Sequence, residues 1–413
     1  MNSVRVYRDK ESKHGGLTMI SEFYKDMTGK ESVIRQFFDF ARKRIAEMGP
    51  DSVYNFSIGN PSVPAPDNFT KALIDIVENS DPVKLHGYSP TLGQDSTKKS
   101  IADSLNRRFG MNYEAKHIFP TSGAAGALSH AIRCVAGEGD TVLTFAPYFP
   151  EYNPYVSGTG ATLKVVPADY DTFQINFEKF EEMMDEKVAA VLINSPNNPS
   201  GIVYTTETIQ KLADILTAKQ NEYGHEIFLI TDEPYREIVF EGVDSPFPSK
   251  FYDNSICCYS FSKSLSLPGE RIGYMAVNPA AKDSDYLVPM AGQISRFTGH
   301  NCPTALMQFA IERVIDETSD LSVYETNANL LYNELTRIGY KIVKPMGTFY
   351  MMPRVPSANG DANEWCWKAA RELGLITVPG DSFQCPGHFR ISYCVPTEMI
   401  EKAIPLFEKA YSF

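Results

Sequence analysis

The sequence predicts an α/β protein: a large domain with a mostly parallel seven-stranded sheet between helices, plus a smaller α/β domain. Three observations carry this. Seven short apolar runs, at residues 118–119, 141–145, 162–166, 189–193, 227–230, 256–261 and 272–277, alternate with amphipathic stretches. Strands buried on both faces read as such runs, and parallel neighbours need a crossover between them. Segments with chemically useful side chains fall at the ends of these runs, where open α/β sheets place ligands. A chain of 413 residues is also too long for one small domain.

Residues 1–18 are polar and charged and read as a disordered tail, with Met19 a candidate natural start. Helical spacing marks 177–184 and 206–220, the second with Thr205 or Thr206 as N-cap. Apolar residues three and four apart, without a proline, predict one long helix over 305–337, with a bend allowed. Residues 341–343, 348–352, 377–378 and 390–394 then read as strands of the smaller domain.

Acidic residues outnumber basic ones, 51 to 39, for a formal net charge of −12. No basic block or stripe stands out, so neither nucleic acid nor an anionic membrane is an expected partner. An anionic substrate must be met by local arginines. The seven cysteines, Cys134, Cys257, Cys258, Cys302, Cys366, Cys385 and Cys394, form no CxxC pair, and the histidines show no zinc-ligand spacing. Neither a disulfide framework nor a metal site is expected, and free thiols suit a reducing cytoplasm. No stretch reaches transmembrane length, and residues 1–18 lack the apolar core of a secretory signal.

Lys263 lies in Ser260-Phe261-Ser262-Lys263-Ser264-Leu265-Ser266-Leu267-Pro268-Gly269-Glu270-Arg271-Ile272-Gly273-Tyr274. A strand that delivers one amine to its end among small serines is what a Schiff-base lysine needs; a solvated loop lysine is the competing reading. Three more segments follow other apolar runs. They are Thr121-Ser122-Gly123-Ala124-Ala125-Gly126-Ala127-Leu128, Ser195-Pro196-Asn197-Asn198-Pro199-Ser200-Gly201 and Asp232-Glu233-Pro234-Tyr235. The glycine-bounded turn precedes an apolar helical pattern, so the amides of Ala124 and Ala125 can face a phosphate at a helix N-terminus. Small residues there serve packing equally well.

Together the four motifs resemble the class I/II aminotransferases, the fold-type-I enzymes of pyridoxal phosphate (PLP), from Gly59-Asn60-Pro61 to Phe389-Arg390-Ile391-Ser392. The resemblance implies PLP as cofactor and a catalytic set of Lys263, Asp232 and Tyr235. Lys263 would anchor the cofactor and move the substrate Cα proton, and Asp232 would pair with the ring nitrogen. Tyr235 and Asn198 would face the phenolic oxygen, while Ser260 and Arg271 join Ala124 and Ala125 on the phosphate. Phe149, in Pro147-Tyr148-Phe149-Pro150-Glu151-Tyr152, is the expected ring-stacking residue, with Tyr148 second and a core role open for either. Arg390 would clamp the substrate α-carboxylate, which suits a bidentate guanidinium, and Gly59 with Asn60 would close over substrate.

Tyr88, in His86-Gly87-Tyr88-Ser89-Pro90-Thr91-Leu92-Gly93, resembles the tyrosine that family dimers lend to a neighbouring phosphate. That implies a homodimer with shared active sites; a surface turn tyrosine is the alternative. The resemblance also implies that 19–63 joins the smaller domain, that 64–324 is the large PLP-binding domain, and that 325–413 completes the small one.

The implied function is amino-group transfer between an L-amino acid, aspartate-like or aromatic, and a 2-oxo acid, with 2-oxoglutarate as acceptor. A PLP-dependent lyase, of the C–S lyase or ACC-synthase kind, would use nearly every residue named and stays open. A non-catalytic regulator would need an appended DNA-binding region, for which the N-terminus offers no helix-turn-helix space. Some relatives carry a basic residue in the phosphate turn to meet a second substrate carboxylate, where this chain has Ala125. Others use an arginine of the partner subunit ahead of an Asn-x-Pro turn. Arg296, five residues before Asn301, has that spacing, with a surface arginine as the alternative.

Overall fold

The computed structural model describes residues 20–21, 24–25, 28 and 33–413. The expected tail at 1–18, and Met19 after it, lie outside the described residues. The helix Val33–Met48 leads to a short strand, β1 (Tyr54–Asn55). Each of the seven apolar runs then becomes a strand: β2 (Ile118–Thr121), β3 (Thr141–Phe145), β4 (Thr162–Val166), β5 (Val188–Asn194), β6 (Phe228–Asp232), β7 (Ser255–Ser260) and β8 (Gly273–Val277). They form one sheet in the order β2-β8-β7-β6-β5-β3-β4. Only β8 runs against its neighbours, so the sheet is mostly parallel, as expected.

Alternation along the strands explains the helices on both faces. Ala190 and Leu192 of β5, with Ile256 and Cys258 of β7, share a core with helices Gly123–Val135 and Ser284–Thr298. The intervening Val191 and Ile193 pack on helix Thr206–Tyr223. Cys257 and Tyr259 pack on helices Asp95–Phe109 and Ala305–Glu312. Each fully buried Leu, Ile or Val contributes about 1.5–3 kcal/mol, so two-sided burial holds this sheet rigid beneath the site. Thr205 caps its helix as expected, its hydroxyl accepting from Thr208 N at 3.1 Å.

The smaller unit adds β9 (Tyr350–Met351), β10 (Leu375–Ile376), β11 (Val378–Pro379) and β12 (Phe389–Ser392). β1 pairs with β10, and β11, β12 and β9 form an antiparallel sheet. Phe37, Ala41 and Phe56 share a core with Leu331, Trp365, Phe389 and Phe407, so segments far apart in the chain pack together in this unit.

Two expectations fail here. The long helix over 305–337 is two helices, Ala305–Glu312 and Ser322–Ile338. The polar run between them finds better partners off the helix axis: Ser104 donates to Asp316, Ser319 N bonds Ser264 O at 2.8 Å, and Asp320 accepts from Ser322 N. Residues 341–343 form no strand. A single main-chain bond, Arg354 N to Lys341 O, stands where a ladder was expected. Shorter differences occur at 348–352, which narrows to β9, and at 377–378, where Thr377 separates β10 from β11.

Candidate active site

A cavity of about 420 Å³ opens at the C-terminal ends of β5, β6 and β7, where Asn194, Asp232 and Ser260 end their strands. Eleven residues expected from the sequence line it: Gly59, Ala124, Ala125, Phe149, Asn198, Asp232, Tyr235, Ser260, Lys263, Arg271 and Arg390. They come from segments far apart in sequence.

Lys263 rides on the four-residue helix Phe261–Ser264, capped by Ser260, whose hydroxyl accepts from Ser262 N at 3.2 Å. Its Nζ donates to Gly59 O at 2.8 Å. Burial pushes the pKa of the ammonium down to about 8; Cys394 opposes the shift, and Arg271 and Arg390 add to it. A lysine so placed is a usable amine and proton carrier near neutral pH.

Asp232 is held on two sides. Tyr152 donates to its Oδ2 at 2.6 Å, and Asn194 donates to its main-chain oxygen at 2.7 Å. Oδ1 is buried without a partner among the described residues. Burial raises the carboxyl pKa to about 7; the Tyr152 hydrogen bond pulls it down, and the charge of Glu233 pushes it up. An orphaned buried acceptor costs free energy unless a donor or cation meets it, and Asp232 lines the cavity.

Arg390 stands in β12, brought in from the other unit. It donates to Asn198 Oδ1 at 3.0 Å and to Ser57 O at 2.6 Å, between the rings of Tyr350 and Phe383. Its Nε is buried and unpartnered. Thus Ser57 O meets the arginine and Gly59 O the lysine. The strip 57–59 is also tied at its middle, where Ser392 donates to Ile58 O at 3.0 Å. Gly59 must be glycine: a Cβ there would lie 1.7 Å from the Tyr350 hydroxyl. Asn60 is exposed and does not line the cavity.

Helix Gly123–Val135 brings Ala124 and Ala125, in its first turn, to the cavity lining. Arg271, itself in a left-handed conformation at φ 52°, donates to Ser122 O at 3.2 Å and to Pro268 O at 3.0 Å. A Cβ on Gly123 would meet Arg271 Nη2 at 3.0 Å, so the glycine leaves room for the guanidinium beside the helix N-terminus. Main-chain amides at a helix start, a guanidinium and the Ser260 hydroxyl are groups that could hold an anion. Phe149 lines the cavity, whereas Tyr148 is buried outside it, stacked on Tyr152 at 6.1 Å.

Besides Asn60, two expected residues do not reach this cavity in their own chain. Tyr88 is fully exposed, and Arg296 is exposed on the last turn of helix Ser284–Thr298. Other lining or supporting residues were missed: Tyr152, Asn194, Tyr350 and Ile34. Asn194 ends its apolar run as Asp232 ends the next, which is a readable signal. Tyr152 lies three residues after Phe149 at helical spacing. Nothing local in the sequence points Tyr350 or Ile34 here. Among the described residues no group of His, Cys, Asp and Glu is arranged to hold a metal, and no helix is long and apolar enough to cross a membrane.

Over residues 51–405 the chain matches the family model described as aminotransferase class I and II. It is 44% identical to an amino transferase of Eubacterium rectale, superposing with a TM-score of 0.92 over 96% of this chain and 99% of that one. An aspartate aminotransferase of Thermotoga maritima is 28% identical over 377 residues, 90% of this chain and 94% of the relative. An aromatic-amino-acid aminotransferase 2 of Thermococcus litoralis is 26% identical over 394 residues, 92% and 95% of the two chains.

Proposed function

The chain belongs to the aminotransferase class I and II family and is a transaminase; from that premise we propose that it moves an amino group between an aspartate-like or aromatic L-amino acid and 2-oxoglutarate, with PLP as cofactor. The observation that carries the proposal is the meeting of Lys263, the unpartnered Asp232 oxygen and Arg390 in one cavity. The residues present fit the cofactor. Asp232 Oδ1 would take its ring N–H, Tyr235 and Asn198 its phenolic oxygen, and Phe149 its ring face. The helix start at Ala124 and Ala125, with Ser260 and Arg271, would take its phosphate. When bound, PLP supplies an aldehyde that captures the amino group and a ring that accepts electrons from Cα.

The chain's own contribution follows from the same geometry. Arg390 binds the α-carboxylate, exchanging Ser57 O for a charged acceptor. Lys263, with its lowered pKa, takes the Cα proton and returns it at the far side of the transfer. Asp232, with Oδ1 unpartnered, would act as the anion that keeps the ring nitrogen protonated, the ring's positive charge offsetting the burial that otherwise raises the carboxyl pKa. Formation of glutamate from 2-oxoglutarate tests the class. Release of pyruvate or 2-oxobutyrate with ammonia, and no glutamate, would instead mark a lyase.

For the donor, Arg296→Ala separates the branches. If the donor is aspartate-like, aspartate turnover should drop by about 1.5–3 kcal/mol in transition-state terms, the value of a charge-assisted hydrogen bond. Phenylalanine and alanine turnover should be unaffected. A wild type that prefers phenylalanine, or an unchanged aspartate rate, leaves the aromatic branch.

The proposal includes a cytoplasmic homodimer with shared sites and the division 19–63 with 325–413 against 64–324. Exposed Tyr88 supports it, as does an apolar stripe of Tyr286, Met290 and Phe297 on helix Ser284–Thr298. Mixing Lys263→Ala with Tyr88→Ala subunits should restore activity, because one of the two sites in each mixed dimer then has both wild-type residues. A fully active monomer in light scattering would rule sharing out.

A further inference from the structure

We propose, resting on the PLP reading above, that Tyr152 is a positioning residue whose hydroxyl holds one oxygen of Asp232 so that the other meets the cofactor ring nitrogen as an anion. Tyr152 does not line the cavity and so touches neither substrate nor cofactor there. Its hydroxyl lies 2.6 Å from Asp232 Oδ2, and the ring is 1% exposed. Held at Oδ2 by this donor, and at the main chain by Asn194, the carboxylate cannot rotate freely, which leaves Oδ1, without a competing donor among the described residues, as the oxygen free to meet the ring in the cavity that Asp232 lines. Asn194 extends the brace, its Oδ1 accepting from Asn198 N at 2.7 Å. The two residues expected at the ring nitrogen and the phenolic oxygen are thereby held at a set spacing.

Packing fixes the tyrosine as firmly as hydrogen bonding fixes the aspartate. Its ring stacks on Tyr148 and meets Phe149 edge-on at 5.8 Å. One side chain thus buttresses both the ring-stacking phenylalanine and the ring-nitrogen carboxylate.

The electrostatics require such a donor. The groups that face Asp232 are Tyr152, Glu233, Tyr155, Tyr235 and Cys258. Glu233 is like-charged, although it is paired with Arg236 at 2.7 Å. Among the described residues only Tyr152 donates to the Asp232 side chain. Burial and the neighbouring charge of Asp232 push the Tyr152 pKa well up, so the hydroxyl remains a donor at any working pH. Without it the carboxylate becomes more basic. The proton shared with the ring nitrogen then moves toward the carboxyl, and the ring loses its positive charge.

Tyr152→Phe keeps the ring and deletes only the donor. The direct readout is the nitrogen resonance of PLP labelled at the ring nitrogen, which separates a protonated from an unprotonated ring. Wild type should give the protonated signal. Tyr152→Phe should shift toward the unprotonated one, with kcat lower by about tenfold to a hundredfold and KM little changed. Tyr148→Phe, which packs on Tyr152 without reaching Asp232, should keep the wild-type resonance. A folded Tyr152→Phe protein with the wild-type resonance would overturn the positioning role while leaving the transaminase reading intact. A wild type that binds no labelled PLP would overturn the cofactor reading and this inference with it.

Discussion

Lys263→Ala is expected to lose amino-group transfer by at least about four orders of magnitude, because one side chain supplies both the covalent anchor and the proton carrier. Each role alone is worth a large factor, and among the described residues no second lysine lines the cavity to take over. Borohydride reduction of the PLP-loaded wild type should leave a pyridoxyl adduct on the Lys263 peptide, and reduction of the variant should leave PLP unattached. An adduct on another lysine would overturn the assignment. The pH dependence is a second check on the same residue. With a pKa lowered to about 8 by burial, the amine is mostly neutral above that pH, whereas an ordinary lysine stays charged until about 10.5. The rate of cofactor attachment should therefore rise with pH and level off near 8. A rate that keeps climbing toward 10.5 would point to an exposed lysine. Arg271 and Arg390 reinforce the effect, so the two arginines proposed to bind phosphate and carboxylate also help keep the amine reactive.

The sheet was legible because its strands are buried on both faces. An uninterrupted apolar run such as 189–193 needs no partner to be recognised, and all seven runs became neighbours in one sheet. Strand ends were legible for a related reason. Asp232 and Lys263 are costly to bury next to apolar runs unless a site requires them, and both line the cavity. What stayed hidden depends on contacts between distant segments. Tyr350 reaches the cavity from β9, across the seam between the two units. Ile34 arrives from the helix Val33–Met48, whose sequence reads only as amphipathic. The break in the helix expected over 305–337 also has a tertiary cause, since Ser319 and Asp316 bond to Ser264 and Ser104 from other elements. Tyr88 and Arg296 mark the limit from the other side. Their motifs are recognisable, but both stand on the surface of the single chain, and the roles proposed for them need the second copy of the proposed dimer.

Asp232→Asn should slow removal of the Cα proton by about 3–5 kcal/mol, the size of the loss when one partner of a buried ion pair is deleted. The change is nearly isosteric. The introduced amide can still accept from Tyr152 through its carbonyl oxygen, but its NH₂ then occupies the place of Oδ1 and presents a donor where the ring nitrogen needs an acceptor. The ring is left unprotonated and no longer draws electrons from Cα. Stability should move the other way, which separates chemistry from folding. In the cofactor-free protein the Asp232 pKa is raised from 3.8 to about 7 by burial. The folded state therefore binds more protons than the unfolded one across that window, and its stability falls as pH rises from about 4 to 7. Asparagine removes this penalty, so above about pH 7 the cofactor-free variant should melt no lower than wild type. Exchange of the substrate Cα hydrogen, followed in single half-reactions, measures the chemical step directly. A variant that exchanges at near-normal rates, with an intact melt, would show that the carboxylate of Asp232 does not govern the ring.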